Sequence, residues 1–195
     1  MIYIIRHGQT AKNKASALQG RSDDPLNENG ILQAEEAGKW FAAQGITIDK
    51  VYSSPLSRAR DTAALIAPEI KPVTDGRLIE MDYGPYEGMD LRDPAPEVLE
   101  FFSDLAHKSA PEGVEQLSSV VERAGDFLES IKEEASDKNI LISTHAIAMK
   151  GLLEYLTPGA NGKYWPVFIG NCSVYACEVS AGRFGIPFEI YPVEK

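Results

Sequence analysis

Apolar positions along this chain follow two rhythms. Met1 to Ile5 is apolar at nearly every position, has three β-branched residues and shows no alternation, the pattern of a short strand buried on both faces. Residues 139–144 repeat it, with Asn139 leading into Ile140-Leu141-Ile142. Runs at 50–54 and 72–81, the second ending in Arg77-Leu78-Ile79-Glu80, predict two further strands. The chain is β-rich again from about 167 to 193, where 172–179 and 188–191, parted by a turn at 180–182, predict a hairpin completing the sheet edge.

The other rhythm is helical. Ala34, Ala37, Trp40 and Phe41 stripe a helix over 31–44 that Gly45 stops. Leu117, Val120, Ala124, Phe127, Leu128 and Ile131 stripe a longer one over 115–135, and Val98, Leu99, Phe102 and Leu105 predict a short acidic helix over 94–107. Helices are also predicted over 55–67 and 148–155, whereas 11–29 is polar turn chemistry. Strands alternating with helices predict an α/β fold.

Composition narrows this picture. A length of 195 residues suits one well-filled domain, and the net charge of −10 argues against nucleic acid or an anionic membrane surface as a partner. Neither a secretory leader nor an apolar run long enough for a membrane span is evident. The odd spacing of Cys172 and Cys177 puts them on opposite faces of a strand, so no disulfide is expected and a reducing cytoplasm fits. A homodimer is compatible with all of this.

Chemistry gathers at strand ends. Arg6 and His7 follow the first strand, with Gly8 letting the backbone turn sharply and approach a ligand. Arg58 follows the second, and Arg60, two positions on, cannot share its helical face. Glu80 ends the third, although Asp82 and Glu87 crowd the same stretch and the sequence does not choose among them. His145 ends the fourth, with a helix N-terminus just after it to bind an anion. His107, the remaining histidine, reads as a solvated residue at a helix end. Parallel strands place their carboxyl ends along one edge, so these groups can converge. Two arginines and two histidines in an acidic protein suggest a phosphoryl group, and the carboxyl group suggests a leaving group that needs a proton.

As a set, Ile5-Arg6-His7-Gly8-Gln9-Thr10, residues 53–62 from Ser53-Ser54-Pro55 to Arg60-Asp61-Thr62, residues 78–88 from Leu78-Ile79-Glu80 to Glu87-Gly88, and Ser143-Thr144-His145-Ala146 resemble the histidine phosphatase superfamily, also called phosphoglycerate mutase-like, in its broad-specificity phosphatase branch. The resemblance spans nearly the whole chain. It implies a three-layer α/β/α sandwich with a mostly parallel central sheet, here one domain over 1–195 with a small cap-like insertion at about 88–113. It implies that His7 is a nucleophile that becomes phosphohistidine, that Arg6, Arg58 and His145 hold the phosphoryl oxygens, and that Glu80 protonates the leaving oxygen. Asn13 falls where the family has a phosphate-pocket asparagine, Gln19 and Gly20 on a substrate-contacting loop, and Tyr83 where mutases touch substrate. For attack, His7 must be neutral, its other nitrogen donating to a carbonyl near Gly8. Arginines then neutralise oxygens that metal ions neutralise elsewhere, so neither metal nor cofactor is required.

Two departures stand out. Ala146 replaces the glycine that commonly follows the second histidine, adding a methyl group beside the expected substrate site. Pro111-Glu112-Gly113-Val114-Glu115-Gln116 lacks the serine of the family's Pro-x-Gly-Gly-Glu-Ser pattern, which puts any contact from that serine in question. The expected activity is hydrolysis of a small phosphomonoester. The first alternative, a phosphoglycerate mutase, is disfavoured because residues 89–116 offer only Arg92 and Lys108 as cations. A metal hydrolase is disfavoured because arginines beside a cation are electrostatically awkward and no His-Glu-x-x-His spacing is present. A non-catalytic phospholigand module has no support, since every motif residue is intact.

Overall fold

A computed structural model describes residues 1–191, so the end of the β-rich stretch, residues 192–193, lies outside the described residues. The elements in order are β1 (Ile2–Arg6), α1 (Ala11–Lys14), α2 (Glu28–Ala43), β2 (Lys50–Ser53), α3 (Ser57–Ile66), β3 (Val73–Thr74), α4 (Pro96–Ser103), α5 (Leu117–Asp137), β4 (Ile140–Thr144), α6 (Ala146–Leu156), β5 (Val174–Cys177), β6 (Val179–Ser180), β7 (Arg183–Phe184) and β8 (Phe188–Tyr191), with 3-10 turns at Gly76–Leu78 and Gly84–Tyr86. Six strands form one sheet in the order β3-β2-β4-β1-β5-β8. The four strands from β3 to β1 run parallel, and β5 and β8 add an antiparallel edge.

The pleat of β1 explains the layers. Ile2 and Ile4 face a core built with α5 and α6, and Tyr3 and Ile5 face a second core built with α2 and α3. Both faces are buried, hence the unbroken apolar run. Ile142 and Leu141 of β4 divide between the same two cores. The result is the expected three-layer sandwich. Cys172 and Cys177 likewise belong to different cores, and both are free thiols. Among the described residues no helix is long and apolar enough to cross a membrane.

Several elements differ from the sequence reading. The run at 72–81 is not a strand through its length: only Val73 and Thr74 pair with β2. Asp75 then accepts the Arg77 N–H and caps a 3-10 turn, so Glu80 follows an irregular segment rather than a strand. An Asx cap competes locally with the sheet ladder, and apolar periodicity does not register it. α4 covers 96–103 and buries Val98 and Phe101, leaving Leu99 58% exposed. α2 begins at Glu28 because Asn27 accepts the Gly30 N–H. The polar stretch after β1 holds α1, started by a reciprocal cap between Thr10 and Asn13. The hairpin at the edge is β5 with β8, and the predicted turn at 180–182 closes a separate small β6–β7 hairpin, Ala181 and Gly182 adopting φ of 49° and 67°.

Residues 88–91 are tied back to 16–18 by the N–H groups of Leu18, Gly88 and Leu91. Beneath the 88–113 segment lies a third apolar cluster, in which Phe101 meets Leu18, Met81, Tyr83, Ile147 and Trp165.

Candidate active site

The register of the central strands brings the site together. Arg6 pairs with Thr144 across the β1–β4 ladder, so His7 and His145 leave adjacent parallel strands side by side. Their ring centroids are 5.1 Å apart. Both rings are buried. A close approach does require Gly8, but to protein rather than ligand: a Cβ there would collide with the Gly30 carbonyl at the start of α2.

His7 Nδ1 lies 2.7 Å from the Gly8 carbonyl, which makes it the donor and leaves Nε2 with the lone pair. Burial, then the charges of Arg6 and Arg58, hold the imidazole pKa well below its ordinary value, so the ring is neutral. The Arg58 Nε–H points at His7 Nε2 from 3.3 Å. Its other two nitrogens donate to the Ser22 and Gly20 carbonyls at 2.6 Å each, which fixes the plane of a guanidinium with no exposed surface. Arg60, two positions on, is exposed.

Arg6 donates from Nη1 to the Ile169 carbonyl at 2.6 Å, while its Nε is buried without an acceptor. His145 Nε2 meets Ser54 Oγ at 2.7 Å, and its Nδ1 is likewise buried without a partner. Burial, then His7 and the arginines, push the His145 pKa well below the usual value. These two unpartnered polar atoms, with the guanidinium groups of Arg6 and Arg58, suit the binding of an anion.

The three neighbouring carboxylates have different partners. Glu80 is buried, and its oxygens accept the N–H groups of Met81 at 2.8 Å, Ala148 at 2.9 Å and Ile147 at 3.2 Å. The N-terminus of α6, expected from sequence to meet a substrate anion, is thus occupied by this side chain. Asp82 instead pairs with Arg21 at 3.1 Å. Glu87 accepts from the Gly20 and Arg21 backbones and from Ser22 Oγ. Both are bound up in loop structure.

A cavity of about 340 Å³ opens here, and Arg6, His7, Asn13, Gln19, Glu80, Tyr83 and Ala146 line it. Gly20 does not; its carbonyl anchors Arg58. Arg58 and His145 lie behind the lining, in contact with it through His7. Asn13 Nδ2 donates to Gln19 Oε1 at 3.3 Å, and Gln19 in turn donates to Asp24. Burial, then Glu80, raise the Tyr83 pKa well above its ordinary value, so its hydroxyl keeps its proton. Among the described residues, no group of three or more His, Cys, Asp or Glu side chains is arranged to hold a metal ion.

The sequence pattern of the histidine phosphatase superfamily (branch 1) matches residues 2–187. The chain belongs to that superfamily. It is similar to phosphoserine phosphatase 1 of Hydrogenobacter thermophilus, 28% identical over 177 residues that cover 88% of this chain and 83% of the relative. It is also similar to a probable phosphoglycerate mutase GpmB of Yersinia pestis, 34% identical over 161 residues, covering 80% and 74%. Among solved structures, YhfR of Bacillus stearothermophilus superposes with a TM-score of 0.85 at 29% identity, covering 99% of this chain and 97% of that one.

This histidine phosphatase also uses residues that pattern reading missed. Thr62 Oγ1 accepts the Gly8 N–H and donates to the Arg58 carbonyl, linking the two motifs. Asn171 donates to the His7 carbonyl and to Asn13. Arg123 donates to the Arg77 and Ile79 carbonyls at 2.7 and 2.6 Å and pairs with Glu115 at 2.8 Å. Glu115 also accepts the Asp82 N–H, so the pair braces both flanks of Glu80. Thr62 and Glu115 lie inside the motif segments 53–62 and 111–116, whereas Asn171 and Arg123 carry no local signal. Gln116, in the serine's place, bonds the N–H and carbonyl of Ala110.

Proposed function

We propose that this chain is a phosphomonoester hydrolase that transfers a phosphoryl group from a small metabolite to His7 and then to water. One observation carries the reading: a neutral imidazole in the cavity lining, its tautomer pinned by the 2.7 Å bond to Gly8, keeps a lone pair on Nε2 3.3 Å from the buried Arg58 guanidinium, with Arg6 in the same lining. The N–H of Arg6 Nε and the guanidinium of Arg58 take phosphoryl oxygens. Ser54 Oγ accepts the Leu56 N–H and gives its proton to His145 Nε2, leaving His145 Nδ1–H for a third contact.

In the first step the P–N bond to His7 forms as the ester P–O bond breaks, and Glu80, entering as the acid, protonates the leaving oxygen. Its Oε2, which accepts only the 3.2 Å bond from Ile147, has a lone pair left for that proton. The resulting carboxylate takes a proton from water as that water displaces His7 from phosphorus. The 88–113 segment caps the cavity, supported by the positions of Leu91, Pro94, Leu99 and Phe102 in its wall. A reducing, cytoplasmic location accords with the two free thiols, and a homodimer through the open edge of β8 with the exposed Phe188 is checked by sedimentation.

A mutase is the second reading, since one relative bears that name. Hydrolysis is favoured because Arg92 and Lys108, the cations of the 89–116 stretch, pair with Asp90 and Glu100 and do not line the cavity. Acid-quenched phosphoprotein labelled on His7, phosphate release without exchange between 3- and 2-phosphoglycerate, and full activity after exhaustive chelation are the expected results. Exchange faster than release makes the chain a mutase, and absence of both rejects the phosphoryl-transfer reading.

A further inference from the structure

The cavity has a polar floor and an apolar wall. Above His7 the lining is Leu18, Tyr83, Leu91, Pro94, Leu99 and Phe102. Leu91 and Leu99 remain 43% and 58% exposed at the mouth, although burial of such side chains is favourable. Phe102 is held by Phe101 on one side, with centroids 5.5 Å apart, and faces the Tyr83 ring at 6.2 Å.

Among the described residues, no cation lines that mouth. Among the described residues, Arg6 is the one cation in the lining, and it belongs to the floor. Among its neighbours, Lys12 is engaged by Asp24, Arg21 by Asp82 and Glu115, and Arg92 by Asp90. The protein carries a net charge of −10. A second anionic group on a substrate thus meets hydrocarbon and a repelling field, with no partner to offset its desolvation.

Resting on the phosphatase reading above, we propose that the alcohol portion of the substrate is uncharged and apolar, a ring or branched hydrocarbon bearing a phosphomonoester, and that the Leu91–Phe102 wall excludes phosphorylated carboxylic acids. The wall acts on binding of the alcohol portion and leaves the phosphoryl chemistry unchanged.

The test compares substrates that share a primary-alcohol leaving group. Phosphate release from 2-phenylethyl phosphate, O-phosphoserine and 3-phosphoglycerate is measured with the full chain. The expected kcat/KM for 2-phenylethyl phosphate exceeds that for either carboxylate by about tenfold or more, chiefly through KM, in line with the 10–200-fold that apolar pocket contacts supply. Leu99→Lys, at an exposed position that leaves packing intact, narrows the gap by raising kcat/KM for phosphoserine and lowering it for the phenylethyl ester. Equal or better turnover of the carboxylates, or an unchanged ratio in Leu99→Lys, overturns the proposal while the phosphatase reading stands. No release from any of them, nor from p-nitrophenyl phosphate, overturns both.

Discussion

The floor and the mouth of the cavity are built by opposite means. At the floor, three reactive side chains are buried and braced: Arg58 by two loop carbonyls, His7 by Gly8, Glu80 by three N–H groups. Those braces come from the residue after β1, the 20–22 loop, Met81 and the N-terminus of α6. At the mouth, the side chains come from one helix of eight residues and its connections, tied to the 16–18 loop by a few backbone bonds. The wall there is mostly apolar, with Leu91, Pro94, Leu99 and Phe102 in the lining. The contrast teaches that, on the proposed reading, phosphoryl chemistry and choice of alcohol draw on different segments of the chain, which predicts that each can be altered without the other.

The largest break in the comparison is His7→Ala. It should lower phosphate release by about 10⁴-fold or more, as loss of a nucleophile does, while inorganic phosphate still raises the melting temperature because the guanidinium groups remain. Next is Arg58→Ala, expected to cost about 10²–10³ in kcat, the loss typical of one preorganised charge contact. Glu80→Gln sharpens the chemistry: an alkyl phosphate should lose about 10²-fold or more, and p-nitrophenyl phosphate, whose leaving group needs no proton, far less. Arg123→Lys should show the same leaving-group bias at smaller size, since it acts only by holding the Glu80 backbone.

Acid should weaken the floor before the mouth. Folded His7 and His145 have pKa values well below the unfolded value of about 6.5. As pH falls below about 6.5 the unfolded chain takes up protons that the folded chain refuses, so stability declines, by at most about 1.4 kcal/mol per pH unit for each group. Urea midpoints between pH 7.5 and 5 should fall accordingly, and His145→Gln should flatten the slope. At the small end, Arg60→Ala removes an exposed cation and should leave both stability and turnover within about 0.5 kcal/mol of the parent.

Much of this was legible in the residues alone. Doubly buried runs gave β1 and β4, and the helical stripes gave α2 and α5. Strand ends carrying Arg6, His7 and His145 pointed to one edge, and the adjacent β1–β4 ladder provides it. The 72–81 segment misled because an Asp75 cap outcompeted strand pairing.

What the sequence determined by itself is periodic: which segments bury which faces, and which reactive groups stand where those segments end. What only the tertiary structure decided is selection among equals. Glu80 was distinguished from Asp82 and Glu87 because the N-terminus of α6, residues 146–156, comes within hydrogen-bond reach of Glu80 alone, while Arg21 and the Gly20 loop claim the others. Arg123 became a brace, and Leu91 and Leu99 a wall, for the same reason. Local pattern records how often a side chain meets the core, whereas its partner depends on chain segments tens of residues away brought near by folding.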